Sequence, residues 1–322
     1  MTTTSMTPPR PAAVGARKRR VLASVLGETP RERRNFLWGL LFTSPAIIGL
    51  AWFTAYPVFM SIYYSFTSAT MVNPPDFIGL DNYAVLMSDS TWWRSLANTV
   101  YYIVVSVPLG IAVALFLAIL LNLKVRGQSI YRVIFYLPAI VPVVASAVVW
   151  LYVFNPQYGV LNTVLGWFGI TGPGWLASPD WAMPALIIFS TWGAGNLMII
   201  LLAGLQDVPQ DLQDQAMVDG AGRFRRFWHV TIPFLSPHLL FALVTGLIAG
   251  FQFFTPVFVL TNGTGGPAGS TLVSGLYLYQ NAFQFFKVGY ASAIAWVLFI
   301  IVALATALVF RLVGRRVYYG GA

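Results

Sequence analysis

The residues of this 322-residue chain that could do chemistry are few, and most stand in one stretch, 206–238. Asp207, Asp211, Asp214 and Asp219 precede a glycine pair, Gly220 and Gly222, and Arg223, Arg225 and Arg226 follow it. Pro209 suits a first helical turn, where Asp207 and Asp211 complement the positive end of the dipole. Gly220 and Gly222 break that helix. Phe224, Phe227 and Trp228 then recur at i, i+3 and i+4, which predicts a second short amphipathic helix ended by Pro233. Helix, glycine elbow and helix, acidic on one arm and basic on the other, suit docking rather than catalysis. A helix lying on lipid would use the Arg and Trp face of the second arm, but anionic headgroups repel the first. A protein partner accounts for both arms.

Catalysis has no foothold elsewhere. No Gly-x-x-x-x-Gly-Lys-Ser/Thr phosphate loop occurs, so ATP hydrolysis by that route is excluded. His229 and His238, nine residues apart around two prolines, make a poor ligand pair, and no His, Asp and Glu cluster suggests a metal. No nucleophile stands near a base and an orienting acid. The chain has no cysteine, so disulfide and thiolate chemistry are absent. The glycines of 263–269 lack a lysine and read as a flexible loop of turn formers, not a phosphate cradle. No catalytic residue, metal or cofactor is expected on this chain.

The elements that position the loop are apolar. Only 9% of residues are charged and 57% are hydrophobic, with a mean hydropathy of +0.72. Charges fall between six apolar stretches, roughly 36–56, 97–121, 134–154, 182–205, 239–260 and 290–313, each long enough to cross a bilayer as a helix. Strands could cross only as a closed barrel, and the alternation a barrel needs is missing. The fold class is therefore an all-α integral membrane protein with six transmembrane helices. A basic tail (1–35) precedes the membrane domain (36–316), which contains the 206–238 loop, and a short tail (317–322) follows.

Orientation follows from the basic residues. Arg10, Arg17, Lys18, Arg19, Arg20, Arg31, Arg33 and Arg34 precede the first span. Lys124, Arg126 and Arg132 follow the second, the three arginines of 223–226 follow the fourth, and Arg311, Arg315 and Arg316 end the chain. The alternate loops hold only Arg94 and Lys287. Both termini are thus placed in the cytoplasm, with the chain multi-pass in the cell membrane. The net charge of +9 reflects this bias and attraction to anionic lipid, not nucleic-acid binding. The tail is no cleaved signal peptide, because no small-residue cleavage site follows the first apolar run.

Pro45, Pro57, Pro108, Pro138, Pro142, Pro184 and Pro256 punctuate the spans, with Gly193, Gly195, Gly246 and Gly250. Kinked helices suit a bundle that opens and closes. Of the alternate loops, Val160, Leu161, Val164, Leu165 and Phe168 predict a short surface helix, and Thr271 to Phe286 has helical, amphipathic character.

The 206–238 loop resembles the Glu-Ala-Ala loop of permease subunits of ATP-binding-cassette importers. Asp214-Gln215-Ala216 stands for the first triplet, Asp219-Gly220-Ala221 matches the second, and Val230-Thr231-Ile232-Pro233 stands near the Leu-Pro end. The departures are Asp for Glu at 214 and Gln for Ala at 215. Over about 36–316 the resemblance narrows to carbohydrate-uptake permeases of the maltose and glycerol-phosphate type. Asn155-Pro156-Gln157-Tyr158-Gly159, Ala203-Gly204-Leu205-Gln206 and Gly289-Tyr290-Ala291-Ser292-Ala293 are among the stretches that support it.

The resemblance implies a type I importer permease with a second, related permease, two ATP-binding subunits that carry ATP and Mg, and an extracellular solute-binding protein. It implies that Asp214, Ala216, Asp219, Gly220, Ala221, Arg223, Arg225 and Arg226 couple to the ATP-binding subunit. The solute path should lie near the bilayer midplane. Trp192, Asn196, Gln252, Phe254 and Thr255 are its candidates, as amides, hydroxyls and aromatic faces suit a sugar; mutual satisfaction between helices is the alternative. An ion-coupled secondary transporter or channel would need an ionisable residue inside the spans, and none is evident. A membrane scaffold would not need the elbow. A wholly neutral path favours an uncharged solute over glycerol phosphate.

Overall fold

The structure is a computed structural model that describes residues 29–123 and 126–318. The expected basic tail lies mostly outside the described residues, as does Lys124. The chain divides into two compact units, 1–61 and 62–322.

In the first unit, helix α1 spans Pro30–Leu50, so it starts inside the stretch expected to be tail. The cause is a capping box. The Glu32 N–H donates to Thr29 Oγ1 (3.2 Å), and the Thr29 N–H donates to Glu32 Oε2 (3.1 Å). A π turn, Ala51–Ala55, carries the chain into α2, Tyr56–Ser65, without a break.

The second unit takes in the last residues of α2, then α3, Asp81–Ser88, and the long helix α4, Ser90–Asn122. Then come α5, Gln128–Ile140, and α6, Val143–Val153, bent by 99° at Val141–Pro142. The short α7, Val160–Trp167, is the surface helix that the apolar spacing predicts. Helices α8, Pro179–Trp192, and α9, Gly195–Gln206, form a second bent pair at 51°. The elbow helices are α10, Gln210–Val218, and α11, Arg223–Arg226. A π turn, Phe227–Thr231, joins α11 to α12, Ile232–Phe251. After α13, Thr255–Leu260, and α14, Ser274–Tyr279, a π turn (Gln280–Gln284) leads to α15, Val288–Leu312. Among the described residues, four helical stretches are long and apolar enough to cross a membrane, and counting each of the two bent pairs as one span gives six.

Two expectations fail in the fifth span. Pro233 does not end the second elbow helix, which runs on into α12. The π turn explains the continuity. The Ile232 N–H reaches back to the Phe227 carbonyl, five residues away, so one carbonyl of the wider turn is left unclaimed. A proline has no N–H and crowds the carbonyl four residues back, so it fits after such a turn. The same arrangement recurs where the Tyr56 N–H bonds the Ala51 carbonyl just before Pro57. The far end of the span also differs. The helix stops at Phe251, and α13 is separate because Pro256 in its first turn has no N–H to continue α12.

Helix α4 lies against α8, α9 and α12, and small residues bring the backbones close. A Cβ on Gly250 would stand 2.6 Å from Ile103 Cγ1, and one on Gly246 would stand 2.9 Å from Val107 Cγ1. Connectivity puts the 66–89, 154–178 and 261–287 segments at one end of the bundle and the elbow at the other. The Arg94 guanidinium donates to the Ala268 carbonyl (2.6 Å), which ties two segments of the first end together.

Candidate functional site

The elbow is closed by its own backbone. The Ala221 N–H donates to the Ala216 carbonyl (2.9 Å), and the Gly220 N–H donates to that of Met217 (3.0 Å). This is the paired closure of a helix C-terminus whose penultimate residue takes a left-handed conformation. Gly220 has φ +75°, with open space where a side chain would go. Ala216, Gly220 and Ala221 are thus linked by one turn. Asp211 sits in the first turn of α10, whereas Asp207 caps the end of α9 instead. Asp214 accepts from Gln210 Nε2 (3.1 Å).

The elbow exposes an apolar surface among its charges. Val218 is 89% exposed and Phe224 78%, values that no settled core residue shows. Trp228 packs edge-on against Phe224, with ring centres 6.1 Å apart. Asp214, Asp219, Arg223 and Arg225 are exposed, while Arg226 is half-buried. The Arg226 Nε atom is covered and has no hydrogen-bond partner among the described residues.

The five candidates for the solute path converge. Trp192, Asn196, Gln252, Phe254 and Thr255 all line one cavity of about 370 Å³. The breaks in the α5–α6 and α8–α9 pairs and the gap between α12 and α13 meet there, so Val143, Asn196 and Thr255 line it from the first turns of three helices. Tyr102, near the middle of α4, stacks on Phe253 in the gap (4.1 Å, 14°). It lies about 20 Å along the helix from Asp89, which puts the cavity at mid-bundle depth. Trp150 meets both Trp192 (6.0 Å) and Phe189 (5.9 Å) edge-on behind one wall. No ionisable side chain lines the cavity. It offers hydroxyls, amides, backbone groups freed at the breaks, and aromatic faces. Such a set suits a neutral, hydroxyl-rich molecule and has nothing to neutralise a charge.

Residues 106–318 match the family described as binding-protein-dependent transport system inner membrane component. Over 300 residues the chain is 42% identical to the probable ABC transporter permease protein YesP of Bacillus subtilis, covering 92% of this chain and 97% of that one. The lactose transport system permease protein LacF of Rhizobium radiobacter is 38% identical over 284 residues, covering 86% and 94%. Among solved structures, a bacterial ABC transporter involved in the import of the acidic polysaccharide alginate matches with a TM-score of 0.77 at 23% identity, covering 92% and 99%. That last likeness speaks for the fold alone.

The chain belongs to this family of ABC importer permeases.

Two features of the permease go beyond the sequence expectations. The 263–269 loop is pinned rather than flexible. Asn98 Nδ2 donates to the Gly269 and Leu272 carbonyls (both 3.0 Å), Gln280 Nε2 to that of Gly263 (2.8 Å), and Thr271 Oγ1 to that of Gly266 (2.8 Å). Those donors come from α4 and from the chain after the loop, so spacing within the loop could not announce them. The other is Asp89, which caps α4 through the Thr91 and Trp92 N–H groups (2.9 and 3.4 Å). Its Oδ2 also accepts from the Tyr290 hydroxyl (2.6 Å) and from that of Tyr277. An Asp directly before Ser90-Thr91 and a long apolar run is an N-cap signal; its two tyrosine partners, some two hundred residues on, are not. Ser146 and Ser190 of the central cavity were likewise not among the expected residues.

Proposed function

We propose that the permease carries an uncharged sugar, a di- or oligosaccharide, inward through the central cavity, driven by ATP hydrolysis on separate subunits. The observation that carries this reading is the convergence of Trp192, Asn196, Gln252, Phe254 and Thr255 on one charge-free cavity at mid-bundle depth. Aromatic faces stack on sugar rings, and amides and hydroxyls match sugar hydroxyls. The lactose permease relative supports the substrate class.

In this reading the arginine-rich elbow faces the cytoplasm, as the basic residues require, and docks on an ATP-binding subunit that holds ATP and Mg. Asp214, Asp219, Arg223, Arg225 and Arg226 supply charge there, while Ala216, Gly220 and Ala221 fix the turn. Val218, Phe224 and Trp228 supply an apolar anchor of the kind that dominates interfaces. A second, related permease completes the path, and an external binding protein delivers the sugar. Glycerol phosphate fits less well, because nothing in the cavity offsets its charge.

The test is uptake into proteoliposomes that contain the purified complex, with ATP inside and the binding protein outside. Labelled lactose, maltose and trehalose are compared with a uronic-acid disaccharide and glycerol 3-phosphate. ATP-dependent uptake of a neutral sugar, lost in Gly220→Pro although the complex assembles, supports the reading. Uptake without ATP, or of the charged solutes alone, overturns it.

A further inference from the structure

Four aromatic rings form a row between the central cavity and the end of the bundle opposite the elbow. Tyr279 ends α14, and Phe283 stands four residues on in the π turn, with ring centres 5.1 Å apart (37°). Phe254 and Phe258 pair at the same spacing on α13 (5.5 Å, 42°). The two pairs meet, because Tyr279 lies 5.0 Å from Phe254 and 5.2 Å from Phe258. The rings therefore run without a gap from Phe254, which lines the central cavity, to Phe283, which is 55% exposed.

Small residues hold the row in place. A Cβ on Gly275 would stand 3.4 Å from Phe254 Cβ, so α14 lies directly against the start of α13. Gly263 has φ +70°, and a Cβ there would stand 2.8 Å from Phe258 Cε2, which seats that ring against the turn. Gln284 Nε2 comes within 3.6 Å of the same point, so an amide stands beside the ring.

The row has an open side. Phe254 and Phe258 pack against the buried core, but neither is fully buried, nor is Tyr279. An aromatic belt at a membrane surface keeps its rings at one depth, whereas this row leads from mid-bundle depth to the bundle end. Charge is missing along it. The chain from 252 to 286 contains no Asp, Glu, Lys, Arg or His. Lys287 follows that stretch, and Arg94 of α4 is tied to the Ala268 carbonyl (2.6 Å). Aromatic faces and amides without charge again suit a neutral sugar. The central cavity, about 370 Å³, is at the small end of ligand sites, which run from about 300 to 1,000 Å³. A chain of several sugar rings would fill it and extend beyond it.

We propose that Phe258, Tyr279 and Phe283 form a row of subsites for the outer rings of a linear, neutral oligosaccharide whose leading end occupies the central cavity. The inference rests on the sugar-import reading, which puts the 261–287 end of the bundle outside the cell. Phe254 belongs to both sites and joins them. A disaccharide needs the cavity alone, and a tetrasaccharide needs the cavity and the row. The row thus sets the chain length that the permease accepts.

The experiment measures ATP-dependent uptake into proteoliposomes holding the whole complex with its binding protein. Lactose, maltose and trehalose are each compared with the tetrasaccharide that extends them by neutral sugar rings. Phe258→Leu and Tyr279→Leu keep apolar bulk and remove the ring. Phe283→Leu does the same at an exposed position, so it leaves the core intact. Each is expected to raise the tetrasaccharide concentration for half-maximal uptake about tenfold (about 1.4 kcal/mol) and to leave the disaccharide value within about twofold. Tyr279→Phe and Phe258→Tyr keep a ring and should keep wild-type values for both lengths. The disaccharide is the internal control, since a packing defect would slow both lengths alike. Equal losses at both lengths, no loss in any leucine variant, or a wild type that takes up a disaccharide and refuses its tetrasaccharide would overturn the row alone. A wild type that takes up no neutral sugar would overturn the import reading, and the row with it.

Discussion

Gln213 Nε2 donates to Thr231 Oγ1 at 3.2 Å, which joins the first elbow helix to the π turn that leads into α12. The two residues stand on either side of the glycine elbow. Thr231 is buried, so the bond is shielded from competing water. It gives α10 a direct grip on the helix whose far end carries Gln252 to the central cavity.

Cutting that grip should uncouple the machine. A hydrogen bond of this kind contributes about 1 kcal/mol, too little to unfold the bundle. Gln213→Leu and Thr231→Val are each expected to keep ATP hydrolysis within about twofold and to lower sugar uptake several-fold. The double variant should be no worse than either single one, because both remove the same bond. Hydrolysis and uptake measured in the same proteoliposomes decide the matter. Additive losses would mean that the two residues act separately.

Gly220 tests the elbow by conformation alone. A side chain there meets nothing within 4 Å, so only its φ of +75° matters. Left-handed backbone costs an ordinary residue about 1–2 kcal/mol, and asparagine less. Transport should therefore rank glycine, asparagine, alanine, valine. Hydrogen exchange over 206–222 should speed up in the same order. A valine variant as protected and as active as wild type would show that the turn is not needed.

The sequence carried the spans and the elbow, and brought together five residues that line one cavity, for physical reasons. Apolar runs, prolines and glycines act locally, and each of the five path candidates was a polar or aromatic residue in or beside an apolar span. What escaped it was long-range. The continuity through Pro233 depends on a π turn that no residue preference announces. The rigidity of 263–269 depends on Asn98, some 170 residues earlier, and on Gln280. Asp89 was not among the expected residues, because its tyrosines lie about two hundred residues away.

In the central cavity, Gln252 and Asn196 should matter through hydrogen bonds, and Trp192 through its ring. Gln252→Leu and Asn196→Leu each remove polar partners worth about 1 kcal/mol per bond, so the sugar concentration for half-maximal uptake should rise five- to tenfold. Trp192→Phe should be mild and Trp192→Ala severe. Introducing a charge with Ser146→Lys should suppress neutral-sugar uptake, since an unpaired buried ammonium is costly. Uptake that keeps wild-type kinetics in Gln252→Leu, Asn196→Leu, Trp192→Ala and Ser146→Lys alike would place the path elsewhere.

The Asp89 cluster makes a prediction about pH. Asp89 is held below its usual 3.8, the opposing push of burial being outweighed by its four hydrogen bonds. Tyr277 is held above its usual 10.0, first by burial and then by its bond to Asp89. A carboxylate with a depressed pKa contributes stability that is complete above 3.8 and lost as pH falls through the folded-state value. A phenol with a raised pKa contributes stability that is complete below 10.0 and lost as pH rises through its folded-state value. The melting-temperature difference between wild type and Asp89→Asn should thus be flat from pH 5 to pH 9. It should shrink only at more acid pH, below 3.8, while the difference between wild type and Tyr277→Phe should shrink above pH 10. A difference that titrates between pH 6 and 8 would mean that another group, not this carboxylate, governs the cluster.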